Sequence, residues 1–118
     1  MSTITVTNIK ATGETASRDT SGVAGAYGYF NQTTSSAAGY SQNISSYTDT
    51  SAGDMNFNFT NAFSNADYPK CGISSSSNDF MSWAFSGTTS SACRMKNHED
   101  GTGVKDAINQ AIFHGDLA

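Results

Sequence analysis

The clearest pattern along this chain is alternation. In residues 54–60, Met55, Phe57 and Phe59 fall on one side and Asn56, Asn58 and Thr60 on the other. That is the period of two that a half-buried strand requires. Residues 80–86 repeat it, with Met81, Trp83 and Phe85 sharing a face. Residues 91–96 do so again, with Cys93 and Met95 inward and Arg94 and Lys96 outward. The triplets Met55, Phe57, Phe59 and Met81, Trp83, Phe85 are therefore the expected core. Residues 26–32, 40–48 and 68–74 read as further strands. Pro69 belongs at the start of its strand or on an edge, because proline has no N–H for a ladder. Loops rich in Gly, Ser, Asn, Asp and Thr separate these segments at 33–39, 49–53, 61–67, 75–79 and 87–90, and 97–103 reads as a charged loop. Such residues bond to nearby backbone or accept positive φ, which favours turns.

The two ends differ from the middle. Residues 2–9 alternate, with Ile4 and Val6 opposite Thr3, Thr5 and Thr7, and predict a short strand that continues to Ile9. Residues 11–25 are small and polar, with glycines, and read as an extended arm. The chain thus divides into an N-terminal strand and arm over 1–25, with Ile4, Val6 and Ile9 as an attachment strand, and a β-domain over 26–118. At the other end, Val104, Ile108 and Ile112 recur every four residues with Ala107 and Ala111 beside them. This suits an amphipathic helix, and a terminal strand over 107–114 fits the same apolar content. Roughly eight short strands with turns between them predict an all-β, antiparallel β-sandwich, jelly-roll-like in character. A small β-barrel is the next architecture.

Composition strengthens the β reading. Ser, Thr and Asn supply 42 of the 118 residues (18, 14 and 10), and these are weak in helix interiors. Charged residues are only 14% of the chain, yet there are seven Phe, five Tyr and one Trp, which sets it apart from disordered sequences. The exterior should be coated with hydroxyls and amides. Net charge is −4, and the six basic residues are scattered, so no basic stripe exists to neutralise phosphates and nucleic-acid binding is not expected. No apolar run approaches the ~20 residues of a membrane span. Met1-Ser2-Thr3-Ile4 lacks the charged and apolar regions of a secretory signal.

Candidate chemistry is sparse. Cys71 and Cys93 read as free thiols, with a cross-strand disulfide as the alternative. Two cysteines and two distant histidines, His98 and His114, do not have zinc spacing. His98-Glu99-Asp100-Gly101 reads as a solvated turn. The carboxylates lie mostly in turns beside Gly, Ser or Asn, so no paired acid and base is evident, and the chain is expected not to be an enzyme and to need no cofactor or metal. Tyr27, Tyr29 and Tyr40 are the candidates for contact with a glycan or a protein partner. Aromatic faces stack on apolar sugar faces, while amide and hydroxyl groups set orientation. The plainer reading is that such rings belong to the core or to a subunit contact.

The segment 43–68, which reads NISSYTDTSAGDMNFNFTNAFSNADY, resembles a recurring segment of small virion proteins of tailed phages, cyanophages among them. The opening STITVTNI over 2–9 is similar to the opening of these proteins, and AIFHGDL over 111–117 is similar to a final strand of theirs. The chain departs from the pattern at Tyr47, Ala52 and His114. The resemblance implies a virion structural protein, made in the host cytoplasm and built into the particle. It also favours a strand over a helix at the C-terminus. The expected role is a surface-exposed tail-fibre or adhesin component, attached through the N-terminal arm, trimeric, contacting other virion proteins and host-surface glycans. The alternative is a capsid decoration protein that clamps neighbouring shell subunits. A stand-alone glycan-binding module is a third.

Overall fold

The computed structural model of the chain describes residues 2–9, 12–13, 15–16, 18–19, 23–37, 39–75, 81–99 and 103–118. Among them there is no helix. The strands are β1 (Asn8–Ile9), β2 (Arg18–Asp19), β3 (Ala24–Asn31), β4 (Ser36–Ala37), β5 (Ile44–Ser51) and β6 (Asp54–Phe59). They continue with β7 (Lys70–Ser75), β8 (Met81–Ser86), β9 (Ala92–Glu99), β10 (Gly103–Val104) and β11 (Ile108–His114). The C-terminal segment is thus a strand, because Asn109, Ala111 and Phe113 alternate into the core while Gln110 and Ile112 face out.

Two antiparallel sheets pack face to face as a β-sandwich. The first has the order β4-β3-β11-β7. In the second, β9 pairs with β8 along one edge and with β6 and then β10 along the other, and β5 lies outside β6. The connections are jelly-roll-like. Early and late strands pair, β3 with β11 and β6 with β9, while β7 and β8 take places beyond β11 and β9.

The inward rows explain why this sequence closes. Met55, Phe57 and Phe59 are buried on β6, as the alternation predicts, and Cys93 and Met95 lie beside them on β9. Phe113 of the opposite sheet meets Phe57, Phe59, Tyr68 and Phe85, with ring centroids 5.4, 5.1, 6.0 and 6.0 Å away. Edge-on contacts of this kind follow from the ring quadrupole, and burying each ring contributes about 1.5–3 kcal/mol. Phe63 enters the core from the 61–67 connection and stacks on Tyr68 at 4.3 Å. The Tyr68 hydroxyl donates to the carbonyls of Thr89 and Ala92, and burial raises its pKa.

A second inward group is polar. Gln32, Asn97 and Asn109 are all buried. Asn97 and Asn109 each donate from Nδ2 to Gln32 Oε1, at 3.0 and 2.9 Å, and Gln32 Nε2 donates to Asp49 Oδ1 at 3.2 Å. This cluster ties the two sheets together at one end of the sandwich. Asp49 fixes which end of the Gln32 amide is the acceptor, and that acceptor then orients both asparagines.

Several expectations need correction. Within 2–9 the strand is confined to Asn8 and Ile9, which pair antiparallel with Asp19 and Arg18 of the arm. Ile4, 85% exposed, and Val6, also exposed, precede this strand, and the side chain of Ile9 lies outside the described residues. β3 begins at Ala24, inside the expected arm. β9 runs on through Asn97, His98 and Glu99, which were expected in a loop, because Asn97 has its partner in the buried amide cluster. Trp83 keeps the expected inward side with Phe85, at 5.4 Å, but lies on edge strand β8 and is 37% exposed. Phe85 is half-buried against the core, and the side chain of Met81 lies outside the described residues.

Candidate functional site: a trough walled by tyrosines

β3, β11 and β7 run side by side, and their register places residues in rows across the sheet. Tyr27 pairs with Ile112, and Ile112 with Cys71. Tyr29 pairs with Gln110, and Gln110 with Ile73. Both rows point outward. Between them lies the row Gly28, Ala111, Gly72, whose side chains, where present, point into the sandwich. The outer face therefore carries a trough of about 500 Å³ that runs across the strands. Its floor is the backbone of the small row, and its walls are the two outward rows. Tyr40, 83% exposed, follows β4 and lines the same trough. The backbones of Tyr27 and Gln42 exchange hydrogen bonds at 3.1 and 2.9 Å, which hold the Tyr40 segment beside β3.

The small row has a physical reason. A Cβ on Gly28 would lie 2.6 Å from Tyr47 Oη, and a Cβ on Gly72 would lie 2.9 Å from Phe85 Cζ. Rings from the opposite sheet fill the space beneath the floor. Tyr47 stacks on Phe30 at 5.0 Å, and its hydroxyl accepts from the Tyr29 N–H at 3.2 Å. The floor is thus rigidly backed, and the trough walls stand on strands instead of loops.

The trough is uncharged. The residues that line it include no Asp, Glu, Lys or Arg. Its polar groups are the tyrosine hydroxyls, the Gln110 amide and the exposed Cys71 thiol. Cys93, the other thiol, is buried in the core, and burial raises its pKa. Both cysteines are free. Among the described residues no three His, Cys, Asp or Glu side chains are grouped as metal ligands would be. His98 and Glu99 lie in β9, where Glu99 pairs with Lys105 at 2.8 Å.

The three tyrosines singled out from the sequence, Tyr27, Tyr29 and Tyr40, are brought together here, with Tyr27 and Tyr29 on one strand and Tyr40 joining from the following loop. Sequence reasoning missed Gln110, Cys71, Ile73 and Ile112. Period-two alternation within 70–75 and 108–114 held the signal that each faces outward, but only the pairing of β7, β11 and β3 sets them beside the tyrosines. The attachment residues Ile4, Val6 and Ile9 are not part of this site. No protein-family model, curated protein or solved structure matches the chain.

Proposed function

We propose that this chain is a structural component of a tailed-phage particle, a surface-exposed fibre or adhesin part. It attaches through its N-terminal segment and turns the tyrosine trough toward host-surface glycans. The observation that carries this reading is the meeting of Tyr27, Tyr29 and Tyr40 on one uncharged, outward sheet face. A rigid sheet that presents aromatic rings beside an amide has the parts a contact surface needs: apolar area from the rings and orientation from few polar groups. The likeness of residues 43–68 to phage virion proteins supports the setting. So does the exterior, where hydroxyls and amides predominate and only six Lys and Arg offer sites for trypsin-like cleavage. The exposed side chains of Ile4 and Val6 offer apolar area for attachment to a neighbouring subunit. A self-assembled trimer is part of the same reading.

Quantitative mass spectrometry of purified particles tests the setting. Copies in the tens place the chain in a tail or fibre, hundreds place it on the shell as a decoration protein, and none overturns the virion reading. Binding of the purified chain to host cells, compared with a Tyr27→Ala/Tyr29→Ala/Tyr40→Ala variant, tests the contact. Equal binding by the two proteins would remove the trough from the mechanism.

A further inference from the structure

The shape and charge of the trough narrow what it can hold. Its walls are rows two residues apart on the same strands, a separation of ~6.8 Å. That is about twice the ~3.5 Å contact distance between non-bonded carbon atoms, so one ring-shaped ligand fits between Tyr27 and Tyr29. Three strands ~4.8 Å apart give the trough a length of roughly 10 Å between outer backbones. A face of this size falls well short of the ~800 Å² per partner of a stable protein–protein contact. The volume of about 500 Å³ lies within the range of small-ligand sites.

Charge selects further. An anionic ligand would lose water without meeting a cation, since no Lys or Arg lines the trough, and burying an uncompensated charge is costly. A purely apolar ligand would cover the Gln110 amide, which stands mid-wall between Tyr29 and Ile73, without offering it a hydrogen-bond partner. A ligand with apolar ring faces and a rim of hydroxyls satisfies both conditions.

We infer that the trough takes a neutral saccharide of one or two rings, lying across the strands, with Gln110 bonding to its hydroxyls and the tyrosines covering its ring faces. This rests on the adhesive reading above and goes beyond it in naming the chemical class and the orienting residue. Anionic sugars, those with carboxylate or sulfate groups, are excluded by the lack of cations.

The test is an NMR titration of the full chain with neutral disaccharides (cellobiose, lactose, maltose) and with their uronic-acid and sulfated counterparts. The expected result is binding of at least one neutral sugar, with amide shifts confined to β3, β11, β7 and the Tyr40 segment. The charged counterpart should bind more than tenfold more weakly. Gln110→Ala should weaken the neutral sugar about tenfold, and Gln110→Glu should weaken it without restoring the charged one. Because Gln110 is exposed, neither change should alter the unfolding midpoint, which is measured in parallel. Charged sugars bound as tightly as neutral ones would overturn the neutral class while leaving the adhesive reading in place. Neutral sugar bound equally by Gln110→Ala would overturn the orienting role. A chain that bound host cells through Tyr27 and Tyr40 yet no saccharide would overturn this inference alone. Failure in both assays would overturn the adhesive reading with it.

Discussion

The outer faces of the two sheets answer water in opposite ways. On the β5-β6-β9 face, polar side chains satisfy one another. Asn58 Nδ2 donates to Ser46 Oγ at 3.0 Å and to Thr48 Oγ1 at 2.9 Å, and Ser45 Oγ donates to the Asn58 carbonyl. Arg94 forms a bidentate pair with Asp54. On the β3-β11-β7 face, the corresponding outward positions are Tyr27, Tyr29, Ile112, Ile73, Cys71 and Gln110, with no such ladder. Both sheets obey the same alternation, and both bury their inward rows against the same aromatic core. The difference teaches that alternation specifies which residues face out but not what they face. A self-bonded polar face is finished by water, whereas the face proposed for contact gathers rings and aliphatic side chains beside few polar groups.

The comparison assumes that the two faces stand on one cooperative core, and the strongest way to break it is to remove a residue that joins the sheets. Phe113→Ala should cost about 3–5 kcal/mol, measured by urea unfolding. Tryptophan fluorescence from β8 and amide signals from the trough should be lost in a single transition, and two separate transitions would show the sheets to be independent. Next in size is the buried amide cluster. Gln32→Ala strands the Nδ2 groups of Asn97 and Asn109, and each buried donor left unpaired costs about 1–3 kcal/mol, although Asn109 keeps its bond to the Ala107 carbonyl. Loss of less than about 0.5 kcal/mol, the size of an ordinary surface change, would mean that the cluster does not fasten the sheets.

Smaller effects separate the faces. Asn58→Ala removes two side-chain hydrogen bonds from the polar face and should cost about 0.5–1.5 kcal/mol while leaving ligand binding in the trough unchanged. A change in that binding would show that the faces communicate. On the same polar face, Asp54 is sensitive to acid. The hydrogen bond from Arg94 holds its carboxyl below the ordinary value of 3.8, against an opposing push from partial burial. A depressed folded-state pKa contributes stability that is fully present above the unfolded value and is lost as pH falls through the folded one. The difference in urea midpoint between wild type and Asp54→Asn should therefore be constant above about pH 5 and shrink below about pH 4. A constant difference down to pH 2 would sink this assignment. The smallest stability effect belongs to the trough itself. Tyr40→Ser should shift stability by less than ~0.5 kcal/mol, because the ring is 83% exposed, while cell or saccharide binding falls severalfold.

Much of the fold was written in the period of the sequence. Met55, Phe57 and Phe59 had to share a face, Asn56 and Asn58 the other, and the Ser, Thr and Asn content disfavoured helix, so a sandwich of short strands followed from local physics. At 108–114 local physics was not enough. Apolar residues spaced by four fit a helix as well as a strand, and the choice fell to β3 and β7, which flank β11 and take up its backbone hydrogen bonds on both sides. Trp83 shows the same limit in another form, since its inward side was legible but its place on edge strand β8, where it is 37% exposed, was set by strand order. Tyr27, Tyr29 and Tyr40 could be named as contact residues from their chemistry alone. Their joining with Gln110, Ile112, Cys71 and Ile73, and the union of buried Gln32, Asn97 and Asn109 with exposed Asp49, were decided only by strand pairing. Alternation is a property of neighbours in the chain, whereas register joins residues as many as 90 positions apart, as in the pairing of His114 with Ala24 (114 − 24 = 90), and no local pattern encodes that distance.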